Sequence, residues 1–455
     1  MLSRSRLLQT LPRLCCLRAP GRHLARYTTQ PVRESSQSTA IEKIISDTIR
    51  ATGPISYATY MQMCLSHPTE GYYMNPAHPV FGARGDFITS PEISQVFGEL
   101  VAIWLISQWQ HFGGKKSIRL VELGPGRGTL MADVLRVFKH FARAGVQVSE
   151  VHLVETSPSM KTLQAENVRP SAEAQGYTVA WQDSLDDVPE DKSEFTMVLA
   201  HEFFDALPFH LIQKSNDGWR EVLIANGPGS VTKTTLTVTR NSNAVPGDFS
   251  SITEKPVAPF HPVLAPGPLP SSTLLGNSSP RFATLPLDTR VEASPAAYKT
   301  ARRIAELLSS KGAALDDDVA GCGLIVDYGG DKCFGNSFRA FKDHKIVDVF
   351  HRPGECDLTT NVDFAYLKEA MGDLVEIHGP IPQATFLDRM GVGMRVEALK
   401  KATKDESRKA SIQSAAQRLL DKSGMGGQYQ FMGVTGKARL PVTPKDEQKW
   451  PFVKV

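Results

Sequence analysis

Cysteine is scarce, with six residues in a chain of 455. Cys15, Cys16, Cys64, Cys322, Cys333 and Cys356 fall at no metal-ligand spacing. The sequence therefore offers neither a disulfide framework nor a thiolate metal site, and no metal is expected. Long apolar runs are missing too, since nothing approaches the roughly 20 residues that a membrane-spanning helix needs. Net charge is close to absent: 51 basic against 48 acidic residues leave +3. No basic stripe interleaved with aromatics appears, so the charge pattern does not argue for nucleic acid as a partner. No internal repeat is visible. The length allows two or three domains with ample core.

Acidic residues are absent from the first 33 positions. Arginine stands at 4, 6, 13, 18, 22, 26 and 33, Ser and Leu fill the gaps, and the first acid is Glu34. An arginine-rich, serine-containing, acid-free leader has the character of a mitochondrial transit peptide over residues 1–33. The continuous apolar stretch of a secretory signal is interrupted by Pro12, Arg13 and Arg18. Cleavage is expected near Tyr27.

Beyond the leader, Ile41, Ile44, Ile45 and Ile49 give residues 38–50 a helical period, stopped by Gly53-Pro54. Residues 57–65 and 93–109 read as further helices, and residues 38–112 as an N-terminal helical cap over a ligand crevice. From Ile118 onward strands and helices alternate, which argues for a parallel α/β sheet across residues 116–455. Leu211, Ile212 and residues 219–224 suggest an antiparallel hairpin. The Pro-, Ser- and Gly-rich stretch 245–286 reads as a loop-like insertion.

The chemistry begins at residues 118–129, Ile-Arg-Leu-Val-Glu-Leu-Gly-Pro-Gly-Arg-Gly-Thr. A short apolar strand runs into a turn with glycine at 124, 126 and 128, and a helix follows. Such a turn bends sharply and lets a ligand approach backbone N–H groups at a helix start. A dinucleotide fingerprint would space its glycines Gly-x-Gly-x-x-Gly. Here they occupy every second position behind Glu122, a form that resembles the S-adenosylmethionine loop of class I methyltransferases. Glu155 closes the next strand, where an acid accepts ribose hydroxyls. Asp183 follows the strand after that, where an acid or amide meets an adenine amino group; its bland reading is a helix cap. The expected cofactor set is Glu122, Gly124, Gly126, Gly128, Thr129, Glu155 and Asp183.

Several other blocks occur in order: Gly-Tyr-Tyr at 71–73, Gly-Asp-Phe-Ile-Thr-Ser-Pro-Glu-Ile-Ser at 85–94, Glu-Phe-Phe-Asp-Ala-Leu-Pro at 202–208, and Asp-Tyr-Gly at 327–329. Arg352-Pro353-Gly354 and Asp363-Phe364 come after them. With the glycine loop they make the chain, from about residue 38 to 436, resemble the mitochondrial protein arginine methyltransferase family that assists assembly of respiratory complex I. The resemblance implies a class I, Rossmann-like α/β sheet with an N-terminal cap and C-terminal additions. It also implies S-adenosyl-L-methionine as cofactor and symmetric ω-dimethylation of an arginine in a core matrix-arm subunit of complex I. A mitochondrial matrix location follows from the same likeness, and a homodimer is compatible with it. One departure stands out: relatives carry Asn before Glu-Phe-Phe-Asp where this chain has His201, so a contact by that amide is not carried over.

A guanidinium stays protonated near neutrality, so a site that methylates it must hold it by carboxylates and manage its charge. Glu202 and Asp205 directly follow a predicted strand ending at Ala200, where open α/β sheets present ligands. They are the expected catalytic pair, Glu202 as the main clamp and Asp205 in support. Tyr72, Asp86, Ser90, Glu92 and His351 are weaker candidates for substrate or lid contacts; Ser90-Pro91-Glu92 equally reads as a helix start. Two rival functions stay open at this point: a cofactor-binding assembly chaperone without turnover, and a methyltransferase for a small molecule.

Overall fold

The computed structural model describes residues 37–75, 88–227, 258–309, 321–437 and 450–453. The leader and the candidate Asp86 lie outside the described residues.

Apolar, β-branched runs build the central sheet. Its strands are β1 (Ile118–Leu123), β2 (Val148–Val154), β3 (Thr178–Gln182), β4 (Phe195–His201), β5 (Gly321–Gly330), β6 (Val375–Pro382) and β7 (Tyr429–Gly436). Their spatial order is β3-β2-β1-β4-β5-β7-β6, with β7 antiparallel to both of its neighbours. β1 and β4 are buried along their whole length, as expected of parallel strands covered on both faces. Alternate side chains feed two cores. Leu120, Met197 and Leu324 join Trp104, Phe138 and Phe386 on one face. Val121, Val198 and Ile325 join Ile304, Leu308 and Phe364 on the other. Each such side chain contributes about 1.5–3 kcal/mol by leaving water.

The doubly wound α/β sheet is the class the alternating pattern predicts. From β1 the chain moves outward through β2 and β3, then returns to place β4 on the opposite side of β1. That reversal leaves a crevice beyond the carboxyl ends of β1 and β4, where such sheets take ligands.

A second, five-stranded sheet carries the expected hairpin, His210–Ser215 paired with Gly218–Asn226, flanked by Arg290–Ala293, Phe260–Leu264 and Ile55–Ser56. The helices Ala40–Thr52 and Tyr57–Ser66 pack on it through Ile41, Ile45 and Tyr60, against Phe209, Ile224 and Phe260. A small three-stranded sheet, Arg339–Lys342, Lys345–Val347 and Asp357–Thr359, completes this side.

Two expectations need correction. Helix Gln95–His111, grouped by sequence with the N-terminal cap, packs on the central sheet through Phe97, Leu100 and Trp104. The second half of the Pro/Ser-rich stretch is structured: it forms strand Phe260–Leu264 and helices Pro270–Gly276 and Pro280–Ala283, with Leu275 and Phe282 buried. Both helices begin on proline, which favours the first helical turn because its missing N–H is an orphan there anyway. Composition alone had assigned those prolines to a loop. Residues 245–257 of that stretch lie outside the described residues.

Candidate active site

The glycine turn between β1 and helix Thr129–Phe141 is left-handed at all three glycines, with φ of 57° at Gly124, 51° at Gly126 and 79° at Gly128. They serve different ends. A Cβ on Gly128 would lie 2.9 Å from Val168 Cγ2, so this glycine lets helix Pro158–Glu173 pack close. A Cβ on Gly124 would lie 3.0 Å from the Phe203 ring, at the wall of a cleft.

That cleft has a volume of about 350 Å³. Gly124 and Gly126 form one edge, Glu155 and Asp183 another, and Met160, Leu185, Phe203 and Leu207 are the apolar walls. Glu155 Oε1 accepts the Ser157 N–H at 2.8 Å, and its Oε2 accepts from Gln164 Nε2 at 3.0 Å. Burial raises its carboxyl above the usual range. Gln164, which no local motif marks, also donates to the Gly126 carbonyl and accepts from Trp181 Nε1. It thereby joins the ends of β2 and β3 to the glycine turn. Asp183 is exposed and pairs with Lys161 at 2.5 Å. A left-handed turn with room above it, a buried strand-end carboxylate and apolar walls suit an adenosine bearing a charged tail, and S-adenosyl-L-methionine fits that description.

A second cavity of about 610 Å³ adjoins the first, and Glu202 and Tyr73 line both. Glu202 has φ of 51°, a left-handed conformation that costs a non-glycine residue on the order of 1–3 kcal/mol and persists only where its surroundings enforce it. The enforcement comes from β5. The Glu202 N–H donates to the Val326 carbonyl at 3.0 Å, and Asp327 Oδ2 accepts the N–H groups of Phe203, Phe204 and Asp205 at 3.2, 2.9 and 3.3 Å. Asp327 is fully buried, and its carboxyl is pushed upward by that burial and by Asp205 and Glu202 nearby. Thus the Asp-Tyr-Gly block holds the Glu-Phe-Phe-Asp block in place.

Desolvation pushes the Glu202 carboxyl up to about 8, reinforced by Asp205 and opposed by a hydrogen bond with Tyr429. Burial raises Asp205 to about 6, against a hydrogen bond from Thr359 Oγ1 at 2.7 Å and the charge of Arg339. Tyr73 donates to Asp357 Oδ1 at 2.6 Å, and the Tyr328 and Tyr429 hydroxyls bond to each other. These partners come from remote segments and carry no local motif. Only the Gly-Tyr-Tyr and Asp-Tyr-Gly blocks hinted at Tyr73 and Tyr328.

Under the glycine turn, Glu92, Glu122, Thr129, His201 and Glu202 surround a small polar cavity. Glu122 is buried and pushed up to about 8, so it is protonated at neutral pH. Burial drives His201 down to about 3; its ring stacks on Tyr429, with Nε2 3.7 Å from Glu202 Oε1. Glu122 and Thr129 face this cavity rather than the larger clefts.

Three weaker candidates take other places. Tyr72 is buried in the core of the N-terminal helices, its ring edge against Tyr73, and it is the neighbour that faces the cavities. Ser90 is buried and donates to Gln383 Oε1 at 3.1 Å, a tie to the C-terminal helices; Thr89 takes the cap position. His351 sits in a turn with its N–H on the Asp348 carbonyl and lines neither cavity. Sequence spacing could not tell inward from outward positions in these turn-rich segments.

Comparison with known proteins follows the same lines. The model of an S-adenosyl-L-methionine-dependent methyltransferase family matches residues 100–381. The zebrafish (Danio rerio) protein arginine methyltransferase NDUFAF7, mitochondrial, is 38% identical over 430 residues, covering 91% of each chain. The human (Homo sapiens) protein of that name is 35% identical over 410 residues, 86% of this chain and 82% of its own. In fold, the chain is similar to a Burkholderia thailandensis crystal structure bound to S-adenosyl-homocysteine, with a TM-score of 0.68 and 21% identity over 91% of this chain and 95% of that one. The chain belongs to the mitochondrial, S-adenosyl-L-methionine-dependent methyltransferase family that includes the NDUFAF7 proteins.

Proposed function

We propose that this enzyme methylates an arginine side chain of a protein, and that the acceptor is a core matrix-arm subunit of complex I in the mitochondrial matrix. In this reading the product is symmetric ω-dimethylarginine and complex I assembly depends on it. The observation that carries the arginine reading is Glu202: it borders both cavities, held in a strained backbone conformation by β5. The names of the relatives support a protein arginine as the acceptor, and the complex I subunit and the symmetric product rest on the family resemblance.

When bound along Gly124, Gly126 and Glu155, S-adenosyl-L-methionine supplies an electrophilic methyl group. The chain's own residues do the rest. Glu202, with Asp205 beside it, binds the guanidinium and concentrates its positive charge on the nitrogens that face the carboxylates. A remaining nitrogen would be left facing the methyl group, and Glu202 would accept the proton that this nitrogen gives up on methylation. Tyr73 borders both cavities and Tyr328 the larger one, with the Tyr429 ring packed behind Tyr328. Positioning of this kind supplies most of the acceleration.

The test incubates purified enzyme with radiolabelled cofactor and the purified subunit, followed by mass spectrometry of the product. Label on arginine as the symmetric dimethyl form is expected. Absence of transfer while the cofactor still binds would leave only a binding role and refute the enzyme reading.

A further inference from the structure

The larger cavity is lined by charges of both signs: the acids Glu202, Asp205 and Asp357, and the cations Lys332 and Arg339. Arg339 is half-buried: its guanidinium lies 5.6 Å from the centre of the Tyr328 ring, and its Nη2 donates to Asn361 Oδ1 at 2.8 Å. Its Nε is buried and has no acceptor among the described residues. Lys332 is exposed at the cavity, 5.3 Å from the Phe334 ring centre, and has no ion-pair partner among the described residues. The neighbouring Lys342, by contrast, is paired with Glu355 at 3.1 Å.

A counter-ion for Asp205 would account for Arg339's charge but not for an unmet Nε. A buried donor without an acceptor is costly, and native proteins leave few of them. A guanidinium held by the acids leaves the two cations of the same cavity facing the rest of the ligand, where a carboxylate would meet them. The space of about 610 Å³ is that of a whole ligand site rather than one side chain.

From these observations we infer that the acceptor segment is zwitterionic: alongside the methylated arginine it carries a carboxylate, an Asp or Glu side chain close in the chain, which Lys332 and Arg339 bind while the guanidinium goes to Glu202. This rests on the arginine reading above and specifies its substrate. Lys332 and Arg339 are then specificity-determining residues. Arg339 can take the carboxylate through its guanidinium edge and Lys332 through its ammonium, both charge-assisted bonds.

Peptides with one central arginine, each flanking position occupied in turn by Asp or Glu, by Asn or Gln, or by Lys, test this through kcat/KM for methyl transfer. At one or two flanking positions the acid should exceed its amide by about tenfold, with the advantage shrinking at high salt. Lys332→Glu, on an exposed side chain whose replacement leaves the core untouched, should reverse the preference at that position toward Lys. Equal rates for acidic, amide and basic flanks would overturn the inference and leave arginine methylation standing. If no arginine peptide accepts a methyl group while calorimetry still shows S-adenosyl-homocysteine binding, the arginine reading falls and this inference falls with it.

Discussion

Glu202 brings together a strained backbone, a raised carboxyl and a position on both cavities. Its carboxyl, pushed up to about 8 by burial, must be ionised to hold a guanidinium. In the free enzyme kcat/KM should therefore rise with pH and level off above about 8. Glu202→Gln should lose at least about a hundredfold in kcat and flatten that rise, while S-adenosyl-homocysteine binding by calorimetry changes little. A variant that keeps the rise would assign the titration to another group, Asp205 being the nearest candidate. Glu202 and Asp205 were legible because acids directly after an apolar strand fall at the mouth of an α/β crevice. Asp327, Tyr73 and Tyr429 were not. Their roles depend on which remote segments the sheet brings beside Glu202, and no local spacing encodes that.

At the scale of the element, the glycine turn divides into a ligand half and a packing half. Alanine at either Gly124 or Gly128 carries about 1–2 kcal/mol of left-handed backbone strain, so strain alone does not separate them. The neighbours do. Gly124→Ala presses on Phe203 in the cleft wall, and S-adenosyl-homocysteine affinity should drop by about tenfold or more in calorimetry. Gly128→Ala presses on Val168 in helix Pro158–Glu173, and should instead lower the melting temperature by several degrees, read by thermal denaturation of the cofactor-free protein. The opposite pattern would exchange the two assignments. From sequence the three glycines looked alike, because a motif records their spacing and not what stands opposite each one. The prolines at 270 and 280 show the same limit: their composition suggested a loop, while their position made them helix starts.

For the whole molecule, the buried carboxyls make stability depend on pH. Glu122 titrates near 4.5 in the unfolded chain and near 8 in the folded one, so the unfolded state gives up its proton first. Its contribution is full below about pH 4.5 and is lost as pH rises toward 8. Glu202 acts in the same direction, and Asp205 does so between its ordinary value and about 6. His201, held down to about 3, acts in the opposite direction up to about pH 6.5, so urea unfolding of the cofactor-free protein from pH 6.5 to 9 should show stability falling with pH, and Glu122→Gln should make that fall shallower. A wild-type profile that rises across this range would mean Glu122 is ionised in the fold.

The central sheet, the glycine turn and the family are legible from the order of residues alone, because apolar period, glycine spacing and ordered blocks are local patterns. Which side chains meet is set by the folded chain. The joining of two cavities at Glu202, the grip of Asp327 on three N–H groups and the sharing of one cavity by acids and cations all arise from segments far apart in the chain. Their contacts are set by strand order and packing rather than by any pattern that the residues carry along the sequence.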